Sequence, residues 1–425
     1  MPQQREANVL GAGERAGSAD EFDAQGCDAA HCSLREAITA ANEHAGPDAI
    51  RFGIPSGDGE CVLGGPCQIR PTTRLPEIRD DATTIDGFTQ IGSRPNAALF
   101  GEPIDAELRI VIDGSAVDEA DPYPTGLQLR SAGNLVRGLV VHGFYTGLEV
   151  YQGAGNRIEG CYVGTDATGS VAAGNACIGV SVATFEGGQG STGNVIGGAE
   201  PSARNLISGN DCNGVSLGPT GDNVVQGNYI GTDVTGRLAL ANEVGGVRAY
   251  RSGGNRIGGA RPDEANLIAF NHTAGVILDG TGGVTLRNTV TRNSIHDNDG
   301  PGIALQVGAN AGVTAPVIEV VSASRASGTA CVGCTVELFS DAGDEGAIYE
   351  GSTTADADGR WAFDQPGGFF GPMLTSTSTD PDGNTSAFGG AVAVPGPTRS
   401  ATPSRTATVG TPGTPGTAGP SPTGP

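Results

Sequence analysis

The stretches NLISGNDCNGVSL (205–217), NLIAFNHTAGVIL (266–278) and NSIHDNDGPGIAL (293–305) share one 13-residue frame, N-x-I-x-x-N-x-x-x-G-[VI]-x-L. A fourth stretch, GLVVHGFYTGLEV (138–150), fits it with both asparagines replaced by glycine, and GVSV (179–182) and GVRA (246–249) are half-copies. A larger unit is duplicated too: NVIGGA at 194 and NRIGGA at 255 lie 61 residues apart, as do the NLI copies at 205 and 266. Each copy holds two short segments of alternating apolar character, such as Ile207 and then Val215 with Leu217. Period two means strands with one buried face. Strands this short bury too little alone, and their corners are too close for helical crossovers. Coiling the chain so that each strand stacks on its equivalent one turn later meets both constraints. The frame asparagines Asn205, Asn210, Asn266, Asn271, Asn293 and Asn298 then have a structural part. Asparagine tolerates left-handed corners and can form side-chain ladders with its neighbours above and below. Asn205 to Asn223 spans 18 residues and Asn266 to Asn288 spans 22, the expected length of one turn. The predicted class is all-β, a parallel β-helix (solenoid).

Composition agrees with this reading and removes several functions. The 425 residues include 71 glycines, which do not recur at every third place, so a collagen helix is excluded. No apolar run approaches the ~18 residues of a membrane span. A net charge of −23 opposes binding to nucleic acid or an anionic membrane surface. All 24 basic residues are arginine. Schiff-base chemistry and a phosphate-binding lysine are therefore closed to this chain.

The ends differ from the middle. CSLREAITAANEHAG (32–46) reads as a helix: Ser33 is its N-cap, Glu36 completes a capping box, and Leu34, Ala37, Ile38 and Ala41 make one apolar face. Such a helix suits the exposed end of a solenoid, whose open strand edges need cover. Beyond about residue 313 the asparagine frame stops, and short strands separated by Asp/Gly turns predict a small β-sandwich over 313–394. From 395 to 425 the chain is Pro, Thr, Ser, Gly and Ala with two arginines, the composition of a disordered stalk. Residues 1–26 are expected to be disordered and show no apolar signal segment; a misassigned start would account for that. A truncated chain would account for the lack of an anchor after the stalk.

Nine cysteines point to an oxidising compartment. Cys27 with Cys32, Cys61 with Cys67, and Cys331 with Cys334 are close-spaced pairs suited to disulfides, while Cys161, Cys177 and Cys212 are left over. A zinc site would need further Cys or His at regular spacing, and Cys331-x-x-Cys334 is a lone half-site.

CSLREAI at 32–38, followed by DAIRF and IDGFTQIG, closely resembles the bacterial CSLREA-type proteins. Repeats such as NYIGTDVTG and NLISGN…GV are similar to their right-handed parallel β-helix. Residues 315–394, ending in STDPDGNTSAF, resemble bacterial immunoglobulin-like surface modules. The resemblance covers nearly everything from Cys27 to Val394. It implies a right-handed solenoid with an N-terminal helical cap, then an Ig-like β-sandwich, in a secreted or cell-surface protein of no settled activity.

Parallel β-helices carry lyases, hydrolases, adhesins and tailspikes alike, so function must come from a site. The best catalytic candidates lie in RNSIHDND: Arg292, His296, Asp297 and Asp299. Asp211, His272 and Asp299 hold the same frame position and are expected to share one corner row, either as a binding row or as solvated turn residues. A lyase would need carboxylates for Ca²⁺ and an arginine base, for which Arg251, Arg256, Arg287 and Arg292 are available; a hydrolase needs two carboxylates about 5–9.5 Å apart. DADGR (356–360) and DPDGN (380–384) look superficially like Ca²⁺ loops but lack a distal bidentate Glu, so Asp-Gly turns are the commoner reading and no cofactor is predicted. GCYVGTDATG (160–169) and GNYIGTDVTG (227–236) place Asp166 and Asp233 67 residues apart. Read as three turns, that separates them by ~14 Å, so each is expected to be a self-satisfied lateral loop that meets partners only as a repeated surface contact. The reading favoured by the residues is a non-catalytic, exported surface protein that binds a polysaccharide or a cell-surface protein. A polysaccharide lyase or hydrolase, and a purely structural extracellular protein, are the alternatives.

Overall fold

The computed structural model describes residues 5–9, 32–118, 120–185 and 190–396. From strand Val224–Gln226 the chain passes to Tyr229–Ile230, then to Gly245–Tyr250, and returns at Arg256–Gly258 beside its starting point. Repetition of this path builds three parallel sheets of nine, eight and seven strands. Sheet 1 runs from Arg5–Val9 to Thr289–Thr291, sheet 2 from Cys67–Ile69 to Ser294–His296, and sheet 3 from Thr125–Leu129 to Ile303–Gln306. Equivalent residues pair rung on rung; Ile158, Ile196, Val225, Ile257 and Val290 follow one another in sheet 1 and all lie inside the coil. Each such side chain contributes about 1.5–3 kcal/mol through burial. Stacked parallel sheets with one strand of each per turn are a parallel β-helix.

Three asparagine ladders run along its corners. The first passes from Asn134 through Asn156, Asn194, Asn223, Asn255 and Asn288 to Asn310. The second joins Asn205, Asn228, Asn266 and Asn293, and the third Asn175, Asn210, Asn242, Asn271 and Asn298. In each rung the side-chain carbonyl accepts from the asparagine one coil earlier, as when Asn194 donates from N at 3.0 Å and from Nδ2 at 2.9 Å to Asn223 Oδ1. The frame glycine before the third strand serves the third ladder: a Cβ on Gly179 would stand 2.8 Å from Asn210 Nδ2 and 2.7 Å from the Gly214 carbonyl.

The ladders correct the turn length. Asn205 stacks on Asn228 rather than on Asn223, and Asn266 on Asn293 rather than on Asn288. The expected spacings joined different corners, so they measured part of a turn. True rungs are 29 and 32 residues apart along Asn194, Asn223 and Asn255, and 38 apart between Asn228 and Asn266. Lateral loops absorb the variation.

The helix Leu34–Glu43 has Ser33 and Glu36 in a reciprocal capping box and buries Leu34, Ala37, Ile38 and Ala41 in the same core as the first coils. Residues 5–9, expected to lack structure, form a strand paired in parallel with Asp48–Phe52. Apolar Val9, fully buried, draws it into the core. At the other end two antiparallel sheets follow, one of Val317–Ser322, Arg325–Thr329 and Arg360–Asp364, the other of four strands between Thr335 and Ala393. They enclose their own core around Trp361 and Phe369. This C-terminal module docks on the last coil, where Ile295 and Gly346 exchange backbone hydrogen bonds of 3.0 and 2.8 Å. The predicted stalk, 397–425, lies outside the described residues.

Disulfides join Cys61 to Cys67 and Cys331 to Cys334. A third joins Cys177 to Cys212, which sequence spacing left unassigned because 35 residues of chain hide two neighbouring coils. Cys32 is disulfide-bonded, and Cys27 lies outside the described residues. Cys161 is a buried free thiol whose pKa burial pushes up to about 12, so it is inert.

Candidate functional site

The corner after the third ladder brings Asp211, His272 and Asp299 into one column. Their backbone N–H groups donate to the ladder carbonyls of Asn175, Asn242 and Asn271 at 3.0–3.1 Å. Glu243 stands between Asp211 and His272, bonded in the same way to Asn210, and its Oε2 lies 2.9 Å from His272 Nδ1. The frame missed Glu243 because the lateral loop separates Asn242 from Asn228-Tyr229-Ile230, the first half of the motif in that coil. All four side chains are exposed, and an exposed pair of this kind is worth about 0–1 kcal/mol.

The proposed catalytic set does not converge. Asp297 occupies a left-handed corner (φ 54°), the place held by Gly209 and Phe270 in earlier coils. Its carboxylate bonds His296 Nδ1 at 2.8 Å. Asp299 is on the far side of the ladder residue Asn298. Arg292 belongs to a different corner: its N–H donates to Glu337 at 3.2 Å, and its guanidinium lies 4.9 Å from the Tyr349 ring. These contacts fasten the C-terminal module to the solenoid. Asn298 ends its ladder on the same module, donating from N and Nδ2 to the two oxygens of Glu345 at 3.0 and 3.1 Å. Beside that contact lies a cleft of about 490 Å³ lined by Asp299, Pro301, Asp344, Glu345 and Phe388.

The two GTD loops are two coils apart, not three, since Tyr162–Val163 pairs with Leu206–Ile207, which pairs with Tyr229–Ile230. At ~4.8 Å per rung the separation falls to roughly 10 Å. The loops also touch, Val234 N–H donating to the Gly169 carbonyl at 2.8 Å. Asp166 accepts from Thr168, Ser170 and Val171 of its own loop, and Asp233, buried, accepts from Thr235, Arg237 and Leu238 of its own. Both carboxylates are thereby committed to their turns. Together with the 94–107 loop, these loops cover the outer face of sheet 2. A second apolar cluster of Ile104, Leu108, Val140, Tyr162, Leu206, Tyr229 and Leu267 fills the space beneath.

Sheet 3 is different. One outward column runs Gln128, Glu149, Ser181, Ser216, Arg248, and Glu77 precedes it, because Ile78 bridges Leu129. A parallel column contains Tyr151, Ala183, Gly218 and Tyr250. Arg130 lies over the Tyr151 ring at 5.1 Å, and Arg248 and Arg251 over Tyr250 at 5.0 and 6.0 Å. Arg130 bonds Glu77 at 3.0 Å and Gln152 at 2.7 Å; Arg248 bonds Asp279 at 2.6 Å. Burial pushes the Glu77 carboxyl up, but the hydrogen bonds of Arg79 and Arg130 more than reverse this. Burial likewise raises Glu149, and here the Gln128 hydrogen bond and nearby arginines do not offset it. These residues escape sequence reading because they come from four or more coils. Only the register of the rungs aligns them.

DADGR and DPDGN are turns in which Asp356 and Asp380 accept from backbone N–H groups two and four residues on. Among the described residues, no group of three or more His, Cys, Asp or Glu is placed to hold a metal ion. No family model matches the sequence, and no curated protein matches it. Among solved structures, a periplasmic alginate epimerase is similar over 61% of this chain, at 13% identity and a TM-score of 0.35; the match spans 50% of that protein. The A-module of a mannuronan C-5 epimerase from Azotobacter vinelandii matches over 65% of this chain and 93% of its own (14% identity, TM-score 0.26). The enzymatically active domain of bacteriophage CBA120 tailspike protein 2 matches over 84% and 73% (10%, 0.28). The likeness is loose at these scores, and the parallel β-helix is defined by the sheets of this chain. Among the described residues no helix is long and apolar enough to cross a membrane.

Proposed function

We propose that this is an exported, cell-exterior β-helix protein that binds an extended polysaccharide along the open outer face of sheet 3. In this reading the N-terminal helix caps a right-handed solenoid of the CSLREA type, and the C-terminal module is an Ig-like spacer. The carrying observation is the contrast between two outer faces. Lateral loops cover sheet 2 with a second apolar core, whereas sheet 3 presents Tyr151, Tyr250, Arg248 and Ser216, each partly exposed, in straight columns. Aromatic faces beside fixed polar donors suit sugar rings, and three disulfides among the described residues fit an oxidising exterior. A polysaccharide-binding screen on the full chain tests this, with Tyr151→Ala expected to weaken binding at least tenfold. A protein that binds no polysaccharide would refute it.

One observation favours a second reading, glycosidic bond cleavage. Glu77 and Glu149 stand two rungs apart in one column, roughly 10 Å between backbones, with their proton affinities driven in opposite directions. That is the arrangement of a general acid beside an ionised partner. New reducing ends that disappear in Glu149→Gln would establish cleavage; their lack in wild type leaves binding alone.

A further inference from the structure

We propose that the Arg130–Tyr151 and Arg248–Tyr250 pairs are the two walls of a trough for a carboxylated polysaccharide, a chain of uronic acids. This rests on the reading that sheet 3 is the ligand face, and names the site and the ligand class. Tyr151 and Tyr250 occupy one column three rungs apart, ~14 Å at ~4.8 Å per rung. Between them the column holds only Ala183 and Gly218, and the column beside it holds Ser181, which is buried, and Ser216, which is half-buried. The floor is therefore low where the walls are high. Glycine is required at 218, since a Cβ there would stand 2.1 Å from the Tyr250 carbonyl.

The walls fix the charge of the ligand. A guanidinium held over a tyrosine ring has lost little freedom still to lose, and its planar fork of five donors matches a carboxylate. Arg248 is hydrogen-bonded to Asp279 through Nη2 alone, so its fork is held in place while most of its donors remain uncommitted by that bond. Arg79 and Arg130 share one acid, Glu77, so neither guanidinium has that carboxylate to itself. Glu149, on the same strand as Tyr151 and so beside the first wall, is drawn toward its neutral form by burial and so opposes an anion less than an exposed carboxylate would. The net charge of −23 does not forbid this, because charges more than about 8 Å away are largely screened at physiological salt. The acidic row of Asp211, Glu243 and Asp299 lines the opposite margin of the sheet, so an anionic chain is confined to the arginine side.

Titration calorimetry of the full chain with polygalacturonate, and with dextran as the neutral control, tests the trough. Polygalacturonate is expected to bind and dextran to bind at least tenfold more weakly, with affinity for polygalacturonate falling as salt rises. Arg248→Gln and Tyr250→Ala should each weaken polygalacturonate binding tenfold or more at unchanged melting temperature, while Arg325→Gln, far away on the C-terminal module, should not. Binding of polysaccharide that these trough variants leave intact, or that favours dextran, overturns the trough and spares the sheet 3 reading. Loss of binding to every polysaccharide in the wild type overturns both.

Discussion

Asparagine does more in this molecule than any apolar residue type, because each ladder rung satisfies backbone and side chain together. Asn210 accepts from Asn175 Nδ2 at 2.9 Å and donates to Asn242 Oδ1 at 2.9 Å, fully buried. Asn210→Ala leaves the buried amide of Asn175 without its acceptor, and should cost about 2–4 kcal/mol. Asp299→Ala, one rung-face outward and exposed, should stay within ~0.5 kcal/mol. Chemical denaturation of both variants checks this, and equal effects would contradict the ladder's weight. Residues such as Asn210 and Asn271 were visible in the sequence because the same amide serves rung after rung, so the frame repeats. Tyr151, Tyr250 and Arg248 carry no repeat. A ligand column needs different side chains at successive rungs, and nothing in the one-dimensional pattern marks them.

At the scale of elements, the strands and the helix were legible and the lateral loops were not. Period-two alternation and the Ser33–Glu36 box are local signals, whereas the path of a loop depends on what it covers. The 227–236 copy shows the difference: its Gly-Thr-Asp-x-Thr-Gly run announced a self-bonded turn, but not that Val234 would bond both Gly169 and Ile104. Asp233 is the pin of that arrangement, its Oδ1 accepting from Thr235 N and Oγ1, Arg237 N and Leu238 N. Asp233→Ala should release the loop and uncover the cluster around Tyr229 and Leu267, at a cost of about 1–3 kcal/mol. Hydrogen exchange checks it: the amides of Val234 and Ile104 should speed up together, while the asparagine ladders keep their protection. Asp233→Asn keeps an acceptor at the same place and should restore most of the protection. If Val234 exchanges fast and Ile104 does not, the loops are not coupled.

For the whole molecule, the open question is how a solenoid ends, and here the last coil and the C-terminal module are one device. Two buried carboxylates of the module receive the final coil: Glu337 from Thr291 and Arg292, and Glu345 from Asn298. Burial, with Asp341 and Asp344 nearby, raises Glu345 to about 7 despite the Asn298 hydrogen bonds, and burial raises Glu337 as well. A carboxyl raised by docking holds its proton more tightly when docked. Its contribution is therefore fully present below the ordinary 4.5 and is lost as pH rises through about 7. At about 1.4 kcal/mol per pH unit, the loss across that window is roughly 3 kcal/mol. Glu345→Gln cannot ionise, so its stability relative to wild type should improve by about that amount between pH 4.5 and pH 8, most of it before pH 7. Comparing variant with wild type at each pH cancels every other group that titrates in both. Melting curves at closely spaced pH values, with hydrogen exchange at Ile295 and Gly346 to report docking itself, supply the measurement. A stability difference that stays constant with pH would mean that docking leaves the proton affinity of Glu345 unchanged.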